Sequence, residues 1–206
     1  GRLLTPKLHD AMKQPVIAEN RAGGAGRIGH EAVAKAAPDG YTLLLTAVGP
    51  LIHTPILYPQ TPFDPLKDFA AISLFATGPL VIGVHPSLPV KNVKELVDFA
   101  KKRPGQLNFG STGVGSVNHL LGEMLNLLTG TNIVHVPYKG GADALSNLLG
   151  GEVAMVMTGV PPVIPLAKAG KLRVIVTTGR QRMPNMPEVP TMAESGLRDA
   201  EIVIWY

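Results

Sequence analysis

Five short stretches rich in glycine, serine and threonine hold the groups best able to do chemistry: residues 21–29, 46–50, 111–116, 137–141 and 158–162. Each follows a run with strand character, and most lead into a helical pattern. A helix start presents N–H groups without helical partners and a partial positive charge, which suits a carboxylate or phosphate. Glycine lets a ligand approach the backbone. One such loop serves as a turn and cap, but several at the C-terminal ends of strands in one α/β chain point to an anion held on backbone amides. The foremost candidate is Gly110-Ser111-Thr112-Gly113-Val114-Gly115-Ser116. Here the amides of Gly115, Ser116 and Val117 would point out of a helix start, and the hydroxyls of Thr112 and Ser116 would add donors. Ser116 is also placed to cap that helix.

Other chemistries lack their parts. Residues 24–29 fit GxGxxG, but a dinucleotide site needs an acid roughly 20 positions on, at the end of the next strand. That strand ends in Thr46-Ala47-Val48-Gly49, without one. There is no GxxxxGK[ST]. His119 follows Ser116 by three residues, yet neither Ser111 nor Ser116 lies in a GxSxG elbow and no orienting acid is near in sequence, so His119 is expected to brace the loop. His9, His30, His53, His85 and His135 show no metal-ligand spacing, and with no cysteine there is no thiolate site. No catalytic residue, metal or cofactor is therefore assigned.

Composition agrees. Hydrophobic residues make up 45% and charged residues 17%, which supports a sizeable core and argues against disorder. The net charge of +4 is mild and aromatics are only 5%, without basic-aromatic interleaving, so nucleic acid is not expected. No apolar run approaches the roughly 20 residues of a membrane helix, so the chain is not expected to span a membrane.

The loops must be held by alternating strands and helices. Strands are predicted at 16–20, 41–46, 72–74, 80–84, 107–110, 133–136, 153–157 and 172–177, and helices at 28–37, from Asn92 to about Arg103, after the 111–116 loop with Leu120, Leu121, Met124, Leu125 and Leu128 on one face and an end at Gly130, and at 142–149 and 163–169. Asn92/Glu95 and Thr191/Glu194 have capping-box spacing, the second opening a short helix that ends at Gly196. The pattern predicts mainly parallel sheets flanked by helices. The number of strands suggests two lobes: residues 1–82 with 174–206, and residues 83–173.

In this order, the segments QPVIAENRAGGAGRIG (14–29), AKAAPDGYTLLL (34–45), DPLKDFAAI (64–72), 107–120, HVPYKGGADALSNLLGG (135–151), 168–177 and 189–196 resemble the Bug-type extracytoplasmic receptors of tripartite tricarboxylate transporters. The resemblance covers nearly the whole chain. It implies an α/β fold of the type II periplasmic-binding-protein kind, with two lobes closing over a small carboxylate that is handed to membrane transporter subunits from the periplasm. Carried over, it places Ala25 and Gly26 in one loop, Thr46 in the next, and Thr112, Gly115, Ser116 and Val117 across the cleft, with Thr158 nearby. It also implies a preceding strand and glycine loop and further C-terminal helices, so that the first lobe is expected to be incomplete here. An α/β enzyme of transferase type using the same loops, or a ligand sensor signalling to a partner protein, are the alternative readings.

Members of this family often carry an acid where Thr158 stands, able to pair with a ligand ammonium. Threonine cannot, so the ligand is expected to be a mono- or dicarboxylate, possibly aromatic, without a free amine. Calorimetric titration with amino acids and with plain carboxylates checks this: the carboxylates should bind more tightly, and the reverse order would refute it.

Overall fold

The computed structural model describes residues 3–21, 23 and 26–206. Helix α1 (Thr5–Met12) ends where Lys13 adopts a left-handed conformation, φ 53°. Helix α2 (Arg27–Ala34) follows the glycine loop. A five-residue π-helical turn, Gly49–His53, runs directly into α3 (Thr54–Leu57). The rest alternates: β1 (Thr77–Val84), α4 (Val93–Lys101), β2 (Asn108–Ser111), α5 (Val117–Thr129), β3 (Val134–Pro137), α6 (Gly141–Leu149), β4 (Met155–Gly159), α7 (Val163–Lys168), β5 (Arg173–Thr177) and β6 (Val203–Trp205).

The strands form one sheet in the order β3-β2-β4-β1-β5, with β6 pairing to the start of β1. Strand β2 is parallel to both β3 and β4, as expected of strands joined through helices. Strand β1 runs antiparallel to β4, β5 and β6, so the sheet is mixed. Alternation along the strands divides the core. Leu80, Ile82 and Val84 of β1, with Met155 and Met157 of β4, join Leu96, Leu121 and Leu125 on one face. Val81 and Val156 point the other way, to Leu145, Leu148 and Val163. Helices α4 and α5 thus cover one face, and α6 and α7 the other.

Three expected strands do not form. Residues 16–20, 41–46 and 72–74 have no ladder among the described residues. A strand requires a neighbour for its N–H and C=O groups, and where none lies alongside the apolar side chains stand in the open, as Tyr41 does at 89% exposure. The second capping box is made, with Glu194 N–H donating to Thr191 Oγ1 at 3.1 Å and Thr191 N–H to Glu194 Oε2 at 2.8 Å. Only turns follow it, because Gly196 at φ +89° ends the segment before a helix is established.

The seating of α5 depends on Gly122. A Cβ there would lie 2.2 Å from two ring carbons of Phe109, a fully buried residue of β2. Gly122→Ala should therefore destabilise the fold by about 1–3 kcal/mol, through overpacking that outweighs the helix propensity gained. Urea denaturation should show a lower midpoint at an unchanged slope. A stability equal to or above the parent's would mean that the helix can move off the ring.

Candidate functional site

Of the segments expected at the site, 46–50 and 111–116 abut. A Cβ placed on Gly49, in the π-helical turn, would sit 3.5 Å from Ser116 Cα and 3.6 Å from Val117 N. The ring of His53 donates through Nδ1 to the Gly115 carbonyl at 3.2 Å. The segment after Thr46 is thus latched onto the start of α5.

The 111–116 loop is built from its own polar groups. Ser111 ends β2 fully buried, and Gly113 N–H donates to Ser111 Oγ at 3.1 Å. Ser116 has extended backbone and caps α5: its Oγ accepts from His119 N–H at 3.1 Å and donates to Gly113 O at 2.7 Å. Ser116 N–H also donates to Gly113 O. Gly115 N–H donates to Nδ1 of His119 at 3.1 Å, so this imidazole braces the loop from below. The first-turn amides of Val117 and Asn118 have no hydrogen-bond partner among the described residues. Of the three amides expected to face an anion, those of Gly115 and Ser116 are therefore taken internally. Only the Val117 amide of these three is without a partner among the described residues, as is that of Asn118.

Thr112 and Ser116 also differ from expectation. Their hydroxyls do not offer spare donors: Thr112 Oγ1 donates to Asn118 Oδ1 at 3.0 Å, while Asn118 Nδ2 donates to the Met157 carbonyl at 2.7 Å. Asn118 is buried, and it ties the loop, the first turn of α5 and the end of β4 together. Thr158 follows Met157 in β4 at 5% exposure, and no hydrogen bond within the described residues engages its hydroxyl.

On the facing side, Ala25 lies outside the described residues. Gly26 precedes α2 at φ +91°, and a Cβ there would meet Pro50 at 2.6 Å, so glycine is needed for both backbone and space. Its N–H donates to Gly23 O, and its carbonyl accepts from His30 Nδ1 at 2.8 Å. The other nitrogen of His30 lies 2.7 Å from Thr46 Oγ1. His30, 4% exposed, stacks on Phe63 with ring centroids 5.2 Å apart. Burial pushes its pKa below the usual value, partly offset by the Gly26 carbonyl. Spacing gave no hint of His30 or Asn118; both act by holding loops distant in sequence. The surface grooves bounded by Pro86, Leu172 and Met186, and by Leu88, Phe99 and Asn108, contain none of the expected residues.

Unpartnered amides at a helix start, with the polar turn at Gly49 against them, are a setting that suits an anion. Among the described residues, no group of three or more histidines or acids is arranged to hold a metal. The whole chain, residues 1–206, matches the family described as the tripartite tricarboxylate transporter family receptor. The chain belongs to this receptor family. Protein BugT of Bordetella pertussis is 39% identical over 207 residues, covering 100% of this chain and 64% of BugT. The chain thus spans somewhat under two thirds of that relative. Two solved structures superpose closely, both at 34% identity and over 99% of this chain and 68% of theirs: the R. palustris protein Rpa4515 with adipate, TM-score 0.95, and the periplasmic binding protein BugD, TM-score 0.93. The fold is accordingly that of a periplasmic binding protein. No described helix of this receptor-family chain is long and apolar enough to cross a membrane.

Beneath the loop, His119 and His135 stack with ring centroids 3.9 Å apart, and His135 Nε2 lies 2.6 Å from Ser111 Oγ. Burial, and then the neighbouring His119, push the His135 pKa from 6.5 down to about 4. The folded protein then binds fewer protons than the unfolded chain between these values. The associated stability is complete above about pH 6.5 and lost as the pH falls towards 4. Melting temperatures across this window should fall less steeply for His135→Gln than for the parent; parallel curves would exclude His135 as a contributor.

Proposed function

We propose that this chain forms the ligand-capturing part of a periplasmic receptor that holds a small carboxylate and delivers it to the membrane subunits of a tripartite tricarboxylate transporter. In this reading residues 1–82 with 174–206 form one lobe and residues 83–173 the other. The ligand lies where the two meet, bordered by Ala25, Gly26 and Thr46 on one side and by Thr112, Gly115, Ser116, Val117 and Thr158 on the other. Adipate in the related Rpa4515 is consistent with a carboxylate ligand.

One observation carries the reading: the unpartnered Val117 and Asn118 N–H groups in the first turn of a 13-residue helix. Two amides and the positive end of the helix dipole offer a carboxylate charge-assisted hydrogen bonds without a formal cation. A neutral site can bind firmly yet release, because no buried ion pair has to be broken. Gly49, which lies against this turn, and Thr46 ahead of it would complete the enclosure. A ligand held this way stabilises the folded form by mass action, about 2.7 kcal/mol at a concentration 100 times its Kd.

Val117→Pro provides the test. Val117 is the first residue of α5, and Ser116 before it has ψ 156°, as a residue preceding proline requires. Proline should thus fit the fold while deleting one N–H. One charge-assisted hydrogen bond corresponds to about 1.5–3 kcal/mol, so dicarboxylate affinity should fall roughly 10- to 100-fold. The circular dichroism spectrum should not change. Unchanged affinity in a folded variant would place the ligand elsewhere.

A further inference from the structure

Residues 46–58 are held on two sides. Towards α2, Thr46 meets the His30 ring at 2.7 Å, Pro50 lies against Gly26, and the Arg27 guanidinium sits 4.7 Å from the centre of the Tyr58 ring. Towards α5, Val48 packs against the core cluster that includes Leu121 and Leu125, and Gly49 lies on the backbone of Ser116 and Val117. Leu57 closes over Gly115, where an added Cβ would come within 2.5 Å of it. The 49–53 turn and α3 contribute no strand to the sheet. Side-chain and backbone contacts, not a ladder, therefore decide where they sit.

Most of these contacts towards α5 are apolar and non-directional, so they allow sliding. His53 is different. Its Nδ1 donates to the Gly115 carbonyl at 3.2 Å, across 62 residues of chain. A carbonyl can only accept, so Nδ1 must carry the hydrogen. It carries one in the charged ring as well as in one neutral tautomer, so the bond survives a change of protonation. The bond also fixes a peptide plane. The Gly115 carbonyl shares its plane with the Ser116 N–H, which donates to Gly113 O at 3.2 Å, and the next amide along the chain is that of Val117. With no side chain and φ +79°, Gly115 depends on such partners for its orientation.

We infer that His53 is a positioning residue for ligand capture: it ties the 49–57 segment to the start of α5 in the unliganded protein and, through the Gly115 carbonyl, sets the Val117 amide. This rests on the receptor reading above and adds to it a wall that is in place before the ligand arrives. A binding-competent state that is already populated binds with its full affinity, whereas one populated in part loses affinity by that fraction.

Double electron–electron resonance and titration calorimetry test this. The chain has no cysteine, so Ile56→Cys on α3 and Leu127→Cys on α5, at positions 73% and 83% exposed, take spin labels without competition. Without ligand the parent should give one narrow distance distribution. His53→Leu, which keeps the bulk and removes the donor, should add a longer and broader component. His53→Asn, whose Nδ2 can stand where Nδ1 stood, should restore the parent's distribution. Succinate, glutarate and adipate serve as ligands. With whichever binds the parent most tightly, His53→Leu should lose about three- to tenfold in affinity, and His53→Asn should stay within about twofold of the parent. Distances or affinities in His53→Leu identical to the parent's, or a His53→Asn variant no better than the leucine one, would overturn the inference and leave the receptor reading intact. Failure of all three acids to bind the parent would overturn the receptor reading, and with it the role in capture.

Discussion

The hydrogen bond from Asn118 to the Met157 carbonyl fixes the geometry of the 111–116 loop and of the helix start that follows it. It joins the first turn of α5 to the end of β4, two elements far apart in sequence, through one buried amide. Because Met157 can only accept, the amide has one orientation, and that orientation determines what Thr112 does. A buried amide without its carbonyl would be costly, so the bond, once formed, holds the helix start in register with the sheet edge. The free N–H groups of Val117 and Asn118 then point in a direction set by the sheet.

Histidines extend this bracing. His30 holds Gly26 to Thr46, His53 holds the π-helical turn to Gly115, and His119 holds Gly115 from below. Where an imidazole donates to a backbone carbonyl its protonated nitrogen is set, and where it accepts from an amide the bare nitrogen is set. Neutral imidazole can do both at once, which neither lysine nor a carboxylate can. It links loops without adding a charge to them. Burial pushes the pKa of both His30 and His135 down, which opposes charging of either ring.

The βα units from residue 93 onward were legible in the sequence because each carries its own signals. Asn92 with Glu95 caps α4, Ser116 caps α5, Gly130 ends it in a left-handed conformation, and apolar runs supply β2, β4 and β5. Residues 16–20 and 41–46 have equally good strand character but no ladder, because pairing depends on a neighbour that local pattern does not contain. The antiparallel course of β1 was hidden for the same reason: residues 77–84 read alike in either direction, and only their partners reveal it. At the site, the loops and the helix start could be read from glycine and capping residues. The direction of each hydroxyl could not, because it depends on Asn118 and His30, whose partners lie 39 and 16 residues away.

That last difference governs which donors the loops keep free. Composition of the loops suggests a surplus of donors, since every serine, threonine and amide can give a hydrogen. Folding spends most of them: Gly115 on His119, Ser116 on Gly113, Thr112 on Asn118 and Thr46 on His30. What stays without a partner among the described residues includes the Val117 and Asn118 N–H pair and the Thr158 hydroxyl. The donors that these loops can offer are thus set by the internal hydrogen-bond network more than by the residue types in them.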